Sequence, residues 1–404
     1  FDEAAAVLPS KSGLGGQKAI GGRWTAEACY AYKGQGYMWQ NDYANAKVEL
    51  AKVINSGKYE LWDKTATMGP SSYGTNMQLA KSQNENWSDG SEEYEYLTLY
   101  RAEADFCDEF LLELDIDGDM TTITSTEPYW FRAYMNWRKD EVNLPGNTTT
   151  ASDGWGFINP TRTFGYAFAK HDGNSVRRRA AIATYSEVYH DFPYLNKDVR
   201  GVMSSMLFEN EGYFRMKYYD YVDDVVPERF ASGQTNGNRT NFPLMRYADV
   251  LLLYAEAVCM SGEGTANISG LEALNKVRRR AGLTDAPALD MDNAEYGIKA
   301  ERRFELWLED CSRYVDLIRW GDYKKFITDT SIDGVSEHWG NECAWLVGLK
   351  DATKRTTDPT DWSNYEVRYD PLSTRGTWSD RFYLWPFPYA ETTQNPNLVQ
   401  NTGW

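Results

Sequence analysis

Histidine, cysteine and long apolar runs are all scarce in this chain, and each shortage excludes something. The three histidines, His171, His190 and His338, have no partner at helical spacing, which argues against an imidazole-rich metal site. The five cysteines are odd in number, far apart and nowhere set as CxxC, so neither a disulfide framework nor a zinc site follows. No apolar run approaches the length needed to cross a bilayer, and no basic stretch followed by an apolar one opens the sequence. Positive charge is also short, with 42 basic against 59 acidic residues and a net charge of -17. That balance argues against general affinity for nucleic-acid phosphates or anionic lipid headgroups, and a neutral or cationic ligand fits it better.

What is abundant is aromatic surface. Fifteen Trp and 28 Tyr are many for 404 residues and need not all lie in the core, since indole and phenol faces are useful wherever flat surfaces are presented to a ligand. The length allows one large domain or two ordinary ones. The opening "FDEAAAVLPS" reads as the end of a helix stopped by Pro9, from which we expect the chain to begin partway through a longer protein.

The pattern along the chain is mostly helical at its two flanks. After a Gly/Ser-rich link over residues 9–22, the positions Tyr30, Gly34, Tyr37, Ala46, Leu50 and Val53 follow tetratricopeptide spacing: a helix, a turn and a returning helix. One such pair cannot close its own core, so partner repeats are expected elsewhere. A second pair is expected at "FPLMRYADVLLLYAEAVCMSGEG", a helix opening after Pro243 and ending at Gly262 and Gly264, with "ISGLEALNKVRRRAGL" as its return. Residues 301–321, "ERRFELWLEDCSRYVDLIRWG", place Phe304, Trp307, Leu308, Cys311, Val315 and Ile318 on one side of a single amphipathic helix. Its Glu, Asp and Arg residues then form a solvated charged face.

Between these flanks, residues 63–241 are poor in helical periodicity and rich in turn formers, with short strand-like runs such as "EFLLELDI". The tail over residues 328–404 reads as an extended segment packed on the helices by its aromatics. Long irregular segments in a compact protein are usually functional loops.

The fold class expected is therefore mostly α: a tetratricopeptide-like helical repeat scaffold over residues 1–62 and 242–327, with a long loop-rich insertion over 63–241 and the extended tail, all in one domain.

In that order, "FPLMRYADVLLLYAEA", "ALNKVRRRAGL", "ERRFELWLEDCSRYVDLIRWG" and "LWPFPYAETTQNPNLVQNTGW" resemble the SusD/RagB family of outer-membrane nutrient-binding lipoproteins of Bacteroidetes. "GWGFINPTRTFGYAFAKHDG" is similar to that family's middle segment. The resemblance spans the chain but not the whole family protein, whose N-terminal part carries the lipid-anchored cysteine. It implies a scaffold role for residues 301–321, with Glu/Arg pairs tying them to adjacent segments. It also implies outer-leaflet anchoring at the cell surface and a partner, a SusC-type TonB-dependent β-barrel transporter, to which captured oligosaccharide is handed. Peptide capture of the RagB type is the runner-up, and a glycoside hydrolase or a pure protein-interaction scaffold stands behind it. No cofactor is expected.

A sugar site needs aromatic faces for C–H stacking beside Asn, Asp or Arg for the hydroxyls. The densest such combination outside the helices is "EPYWFRAYMNWRKDE", which supplies Tyr129, Trp130, Arg132, Tyr134, Asn136 and Trp137; core packing of the two tryptophans is the competing reading. Trp87, alone in a polar stretch, is a second platform. "DIDGD" at residues 115–119 looks like a calcium loop, but its Gly118 falls at the fourth position and Thr126 stands at the twelfth, so no metal is assigned there.

Overall fold

The computed structural model describes residues 1–11, 23–62, 96, 99–100, 104–114, 158–191, 211–218, 241–309, 312–328, 342–371 and 379–404. Helix α1, Asp2–Val7, precedes the first helical hairpin, formed by α2, Ala26–Trp39, and α3, Tyr43–Asn55. Both helices of the hairpin start on a side-chain cap: Thr25 accepts from the Ala28 N–H and Asp42 from the Asn45 N–H, satisfying donors that a helix start leaves free. The tetratricopeptide positions do the expected work. Ala46, Leu50 and Val53 are buried, and Gly34 is where α2 and α3 touch, because a Cβ there would lie 2.7 Å from Leu50 Cγ.

The second hairpin is α7, Tyr247–Ser261, and α8, Gly270–Arg280. Every residue from Tyr247 to Ala257 is buried, so α7 is a central helix surrounded on all sides; α2, α3, α8 and α9, Ile298–Glu305, pack around it. The largest apolar cluster forms here, from Leu50 and Val53 of α3 through Leu251 and Leu252 of α7 to Leu274 and Val277 of α8.

The helix expected to open after Pro243 starts only at Tyr247, and residues 244–246 belong instead to a strand. β4, Phe242–Arg246, pairs antiparallel with β1, Phe110–Leu114. Pro243 holds an extended backbone and lacks an N–H, which a two-stranded pairing tolerates and a helix interior does not. The run "EFLLELDI" thus supplies a strand as expected.

The stretch read as poor in helix contains three helices among its described residues: α4, Arg162–Asp172; α5, Val176–Ala181; and α6, Tyr185–Asp191. Thr161 and Ser175 cap the first two from their side chains. Arginine weakens the apolar periodicity, since α5 buries Arg177, Arg178 and Arg179 as well as Val176, Ala180 and Ala181. Between α5 and α6, β2, Ile182–Thr184, pairs with β3, Tyr213–Arg215.

Residues 301–321 are not one helix. α9 ends at Glu305, residues 306–309 turn with Leu308 at φ 63°, and α10, Ser312–Arg319, begins after them. The expected apolar stripe is only partly buried: Phe304 is interior, whereas Trp307 is half-buried and stacks on Phe164 at 5.0 Å. The charged face is the more deeply buried one, with Glu301, Arg302, Glu305, Glu309 and Asp316 all inside.

α11, Tyr323–Thr328, follows, then an antiparallel pair of β5, Glu342–Leu349, with β6, Tyr365–Pro371, and a last short helix, α12, Tyr389–Gln394.

The contact between α2 and α3 gives a direct test. Gly34→Leu forces a branched side chain into the space of Leu50, and overpacking of this kind costs about 1–3 kcal/mol. A thermal melt should show a lower midpoint, and Gly36→Leu, where a Cβ meets nothing within 4 Å, should not. Equal melting of the two variants would remove Gly34 as the crossing point of the hairpin.

Candidate functional site

The buried charges come together around the end of α9. Arg246, at the last position of β4, donates through Nε to Glu309 Oε2 at 2.6 Å and through Nη2 to Glu305 Oε1 at 3.1 Å, and it also pairs with Glu109. Arg280 from α8 donates to the Glu109 carboxylate at 2.7 Å and to Glu305 Oε1 at 2.6 Å. The Glu305 carbonyl, freed where α9 stops, accepts from Arg246 Nη2 and Lys217 Nζ, both at 3.2 Å. Tyr96 and Tyr100 donate their hydroxyls to Glu305 and Glu309. A second cluster adjoins the first: Arg177 grips Asp172 through two nitrogens at 2.8 Å and reaches Glu301 at 2.7 Å. A third holds α7, α9 and α10, where Arg302 bridges Asp249 and Asp316 while Arg319 joins Asp316 to Glu256.

The carboxylates of these clusters are fully engaged. Burial raises the Glu305 carboxyl, but Arg280, Arg246 and Arg177 overcome this and hold it well below the usual carboxylate range; Asp172 is held low by Arg177 and His171 against the same penalty. Held ionised, met by several donors and closed to solvent, Glu305 and Asp172 suit holding the fold and not proton transfer.

Glu113 of β1 behaves differently. Its Oε2 accepts from the Phe106 N–H at 2.8 Å, and the side chain is buried. Burial, followed by the nearby Asp105 charge, pushes the Glu113 carboxyl up to about 8.

The residues singled out for sugar binding, Tyr129, Trp130, Arg132, Tyr134, Asn136, Trp137 and Trp87, all lie outside the described residues. The described flanks of that stretch are fixed. On one side β1 is zipped to β4, and on the other Ile158 packs on the core before Thr161 caps α4.

The tail offers aromatic surface that was expected to be covered. Trp385 is 75% exposed and Tyr389 85%, with Leu384 and Phe387 exposed beside them. The segment does touch the helices, since Trp385 Nε1 donates to the Tyr314 hydroxyl at 2.9 Å and Tyr383 meets Tyr323 edge to face. Pro386 and Pro388, alternating with the aromatics in "LWPFPY", are the sequence signal for this display, because proline keeps the backbone extended and prevents it from folding its side chains inward. Among the described residues no group of His, Cys, Asp and Glu is placed to hold a metal ion.

Comparison with known proteins places this architecture. The model of the SusD family matches residues 108–404. A SusD-like protein of Bacteroides ovatus is 28% identical over 164 residues, which cover 39% of this chain and 28% of that protein. Among solved structures, a SusD-like protein from Bacteroides fragilis superimposes with a TM-score of 0.61 at 20% identity, covering 100% of this chain and 69% of that one. Surface glycan-binding protein A from Bacteroides thetaiotaomicron, solved in complex with laminarihexaose, superimposes at 0.56 with 19% identity, over 98% of this chain and 67% of that one. The chain thus spans about two thirds of the length of these solved structures, and the likeness to them is one of fold, with its tetratricopeptide-like helices.

Glu113 sets a pH test. Its folded value lies above its unfolded one, so the folded state holds the extra proton, and stability is lost as pH rises from the ordinary glutamate range to about 8. The loss should be on the order of 4 kcal/mol between pH 4.5 and pH 8, since each tenfold difference in proton affinity between the two states corresponds to about 1.4 kcal/mol. Glu113→Gln, which keeps an acceptor for Phe106 and cannot ionise, should flatten this part of a denaturant-derived stability profile. A profile identical to the parent's would show that Glu113 does not carry the proton.

Proposed function

Because the chain belongs to the SusD family, we propose that it is a surface binding protein that captures oligosaccharide and delivers it to a SusC-type TonB-dependent transporter of the outer membrane. The observation that carries this reading is the family match over residues 108–404, supported by a fold shared with a surface glycan-binding protein solved in complex with laminarihexaose. Non-catalytic capture accords with the saturated carboxylates of the core. A rigid scaffold with a long, polar, aromatic-rich insertion suits the task, because a site built on fixed elements loses little entropy when ligand binds.

In this reading Tyr129, Trp130, Tyr134 and Trp137 are stacking platforms. Arg132 and Asn136 bond the hydroxyls, and Trp87 serves the rim. The loop-rich stretch over residues 63–241 is then the ligand-binding part and the helices over 1–62 and 242–327 the support. The protein is held at the outer face of the outer membrane by a lipid on a more N-terminal part.

Titration against a panel of neutral oligosaccharides, with product analysis in the same tubes, tests capture directly. Retention without product is the expected result, and turnover would make the protein an enzyme. Trp130→Ala or Trp137→Ala should weaken binding by about 1–3 kcal/mol, the range of an aromatic hot spot in a small site, or about fivefold to more than a hundredfold. Undiminished binding with a lowered melting point would make these tryptophans core residues. For delivery, extraction of the native membrane in mild detergent should recover a β-barrel partner in equal amount, and recovery of the protein always alone would remove the transporter from the proposal.

A further inference from the structure

Many aromatic faces of this protein are spent on packing; Phe304, for one, is stacked by Phe168 and overlain by Arg303. The tail differs. Trp385 is 75% exposed and Tyr389 85%, Phe387 stands exposed between them, and among the described residues no ring or cationic head packs on any of the three. Their neighbours Phe382 and Trp404 are used up locally, meeting edge to face and sharing the Arg381 guanidinium.

The display is fixed by the segment itself. The Gln400 amide closes on Phe387 from both ends, accepting from its N–H at 2.8 Å and donating to its carbonyl at 2.9 Å, and Asn401 Nδ2 donates to the Trp385 carbonyl. Trp404 Nε1 donates to the Leu384 carbonyl at 2.8 Å, and the Tyr389 carbonyl accepts from the Thr393 hydroxyl at 2.7 Å. Pro386 and Pro388 restrict the backbone between these points. The indole of Trp385 is held by its edge, through the bond from Nε1 to Tyr314 of α10, so its faces are left over. Rings on a backbone already ordered lose little further entropy when a ligand stacks on them.

What can stack there follows from what the segment lacks. Residues 384–404 carry one charged side chain, Glu391, in a protein of net charge -17. An ionic ligand finds no set of counter-charges. The Gln400 and Asn401 amides, which could otherwise read hydroxyls, are spent on the backbone. Ring faces remain, and they suit an uncharged surface of C–H groups. We propose that Trp385, Phe387 and Tyr389 form a second glycan platform, on the tail and not in the insertion, that takes the C–H face of a neutral β-linked oligosaccharide. Because few hydroxyls are read, the platform selects for an uncharged, extended chain more than for one particular sugar. This rests on the reading of the protein as a glycan binder.

Hydroxyl-radical footprinting of the whole chain tests it, with laminarihexaose and cellohexaose as neutral probes and oligogalacturonate as the charged one. Without ligand, Trp385 and Tyr389 should oxidise readily. At saturation with at least one neutral probe their labelling should fall about threefold or more, a size in keeping with aromatic contacts that carry binding energy. The protection should persist at about 0.5 M salt, since no ion pair is involved, and oligogalacturonate should not give it. Trp385→Ala should abolish the protection of Tyr389 with an unchanged melting curve, whereas Trp130→Ala combined with Trp137→Ala should leave it in place. Rings already shielded before ligand is added would show that something else covers them and overturn the platform. Rings that stay reactive while a neutral probe binds would overturn it too, and would leave glycan capture standing. Shielding seen only in the detergent-extracted complex with a β-barrel would make the tail a protein interface instead, and failure of every probe to bind would overturn both readings.

Discussion

One guanidinium does more than any other group to join the parts of this fold. Arg246, fully buried at the junction of β4 and α7, binds Glu109 before β1, Glu305 at the end of α9 and Glu309 at the end of the turn that follows. Taking so many charges out of water costs several kcal/mol per ion, and the network is tolerable only because each is met by opposite charge and hydrogen bonds in good geometry. Tyr96, Tyr100, the Trp62 N–H and the freed Glu305 carbonyl complete that set. Loss of one member would leave its partners charged and buried, a penalty of about 3–5 kcal/mol. The network is thus a condition on the packing more than a source of net stability.

That condition explains why α9 stops where it does. A straight helix through residues 301–321 would send Glu305 and Glu309 up one face at a fixed pitch, a turn apart. Turning the chain at 306–309, with Leu308 in the left-handed region, brings Glu309 back onto the same guanidinium and exposes the Glu305 carbonyl to Arg246 and Lys217. A left-handed leucine costs of order 1 kcal/mol, which is small beside leaving Arg246 without a carboxylate.

The same residues show what was legible in sequence and what was not. Tetratricopeptide spacing from Tyr30 to Val53 was readable because it is a local pattern: Gly34 and Leu50 must meet if the two helices cross there, and they do. The strand at 110–114 was readable for the same reason. The break after Glu305 was not, because the apolar residues of 301–321 keep helical period across it. Nor was the burial of the charges, since an Arg/Glu alternation reads the same whether its partners are water or Glu109 and Arg280, some 170 residues apart. Fold class came through because it depends on many weak local signals that agree; the charged core depends on partners distant in the chain. The sugar platforms at Trp87 and Tyr129 to Trp137 were chosen on composition, and they lie outside the described residues.

A similar distinction separates total charge from the charge a ligand meets. The net charge of -17 is a sum, and in this fold much of what enters it is cancelled inside, where Glu305, Glu309, Glu109, Asp172 and Glu301 are bound by arginine and lysine. Those acids contribute little field beyond their partners.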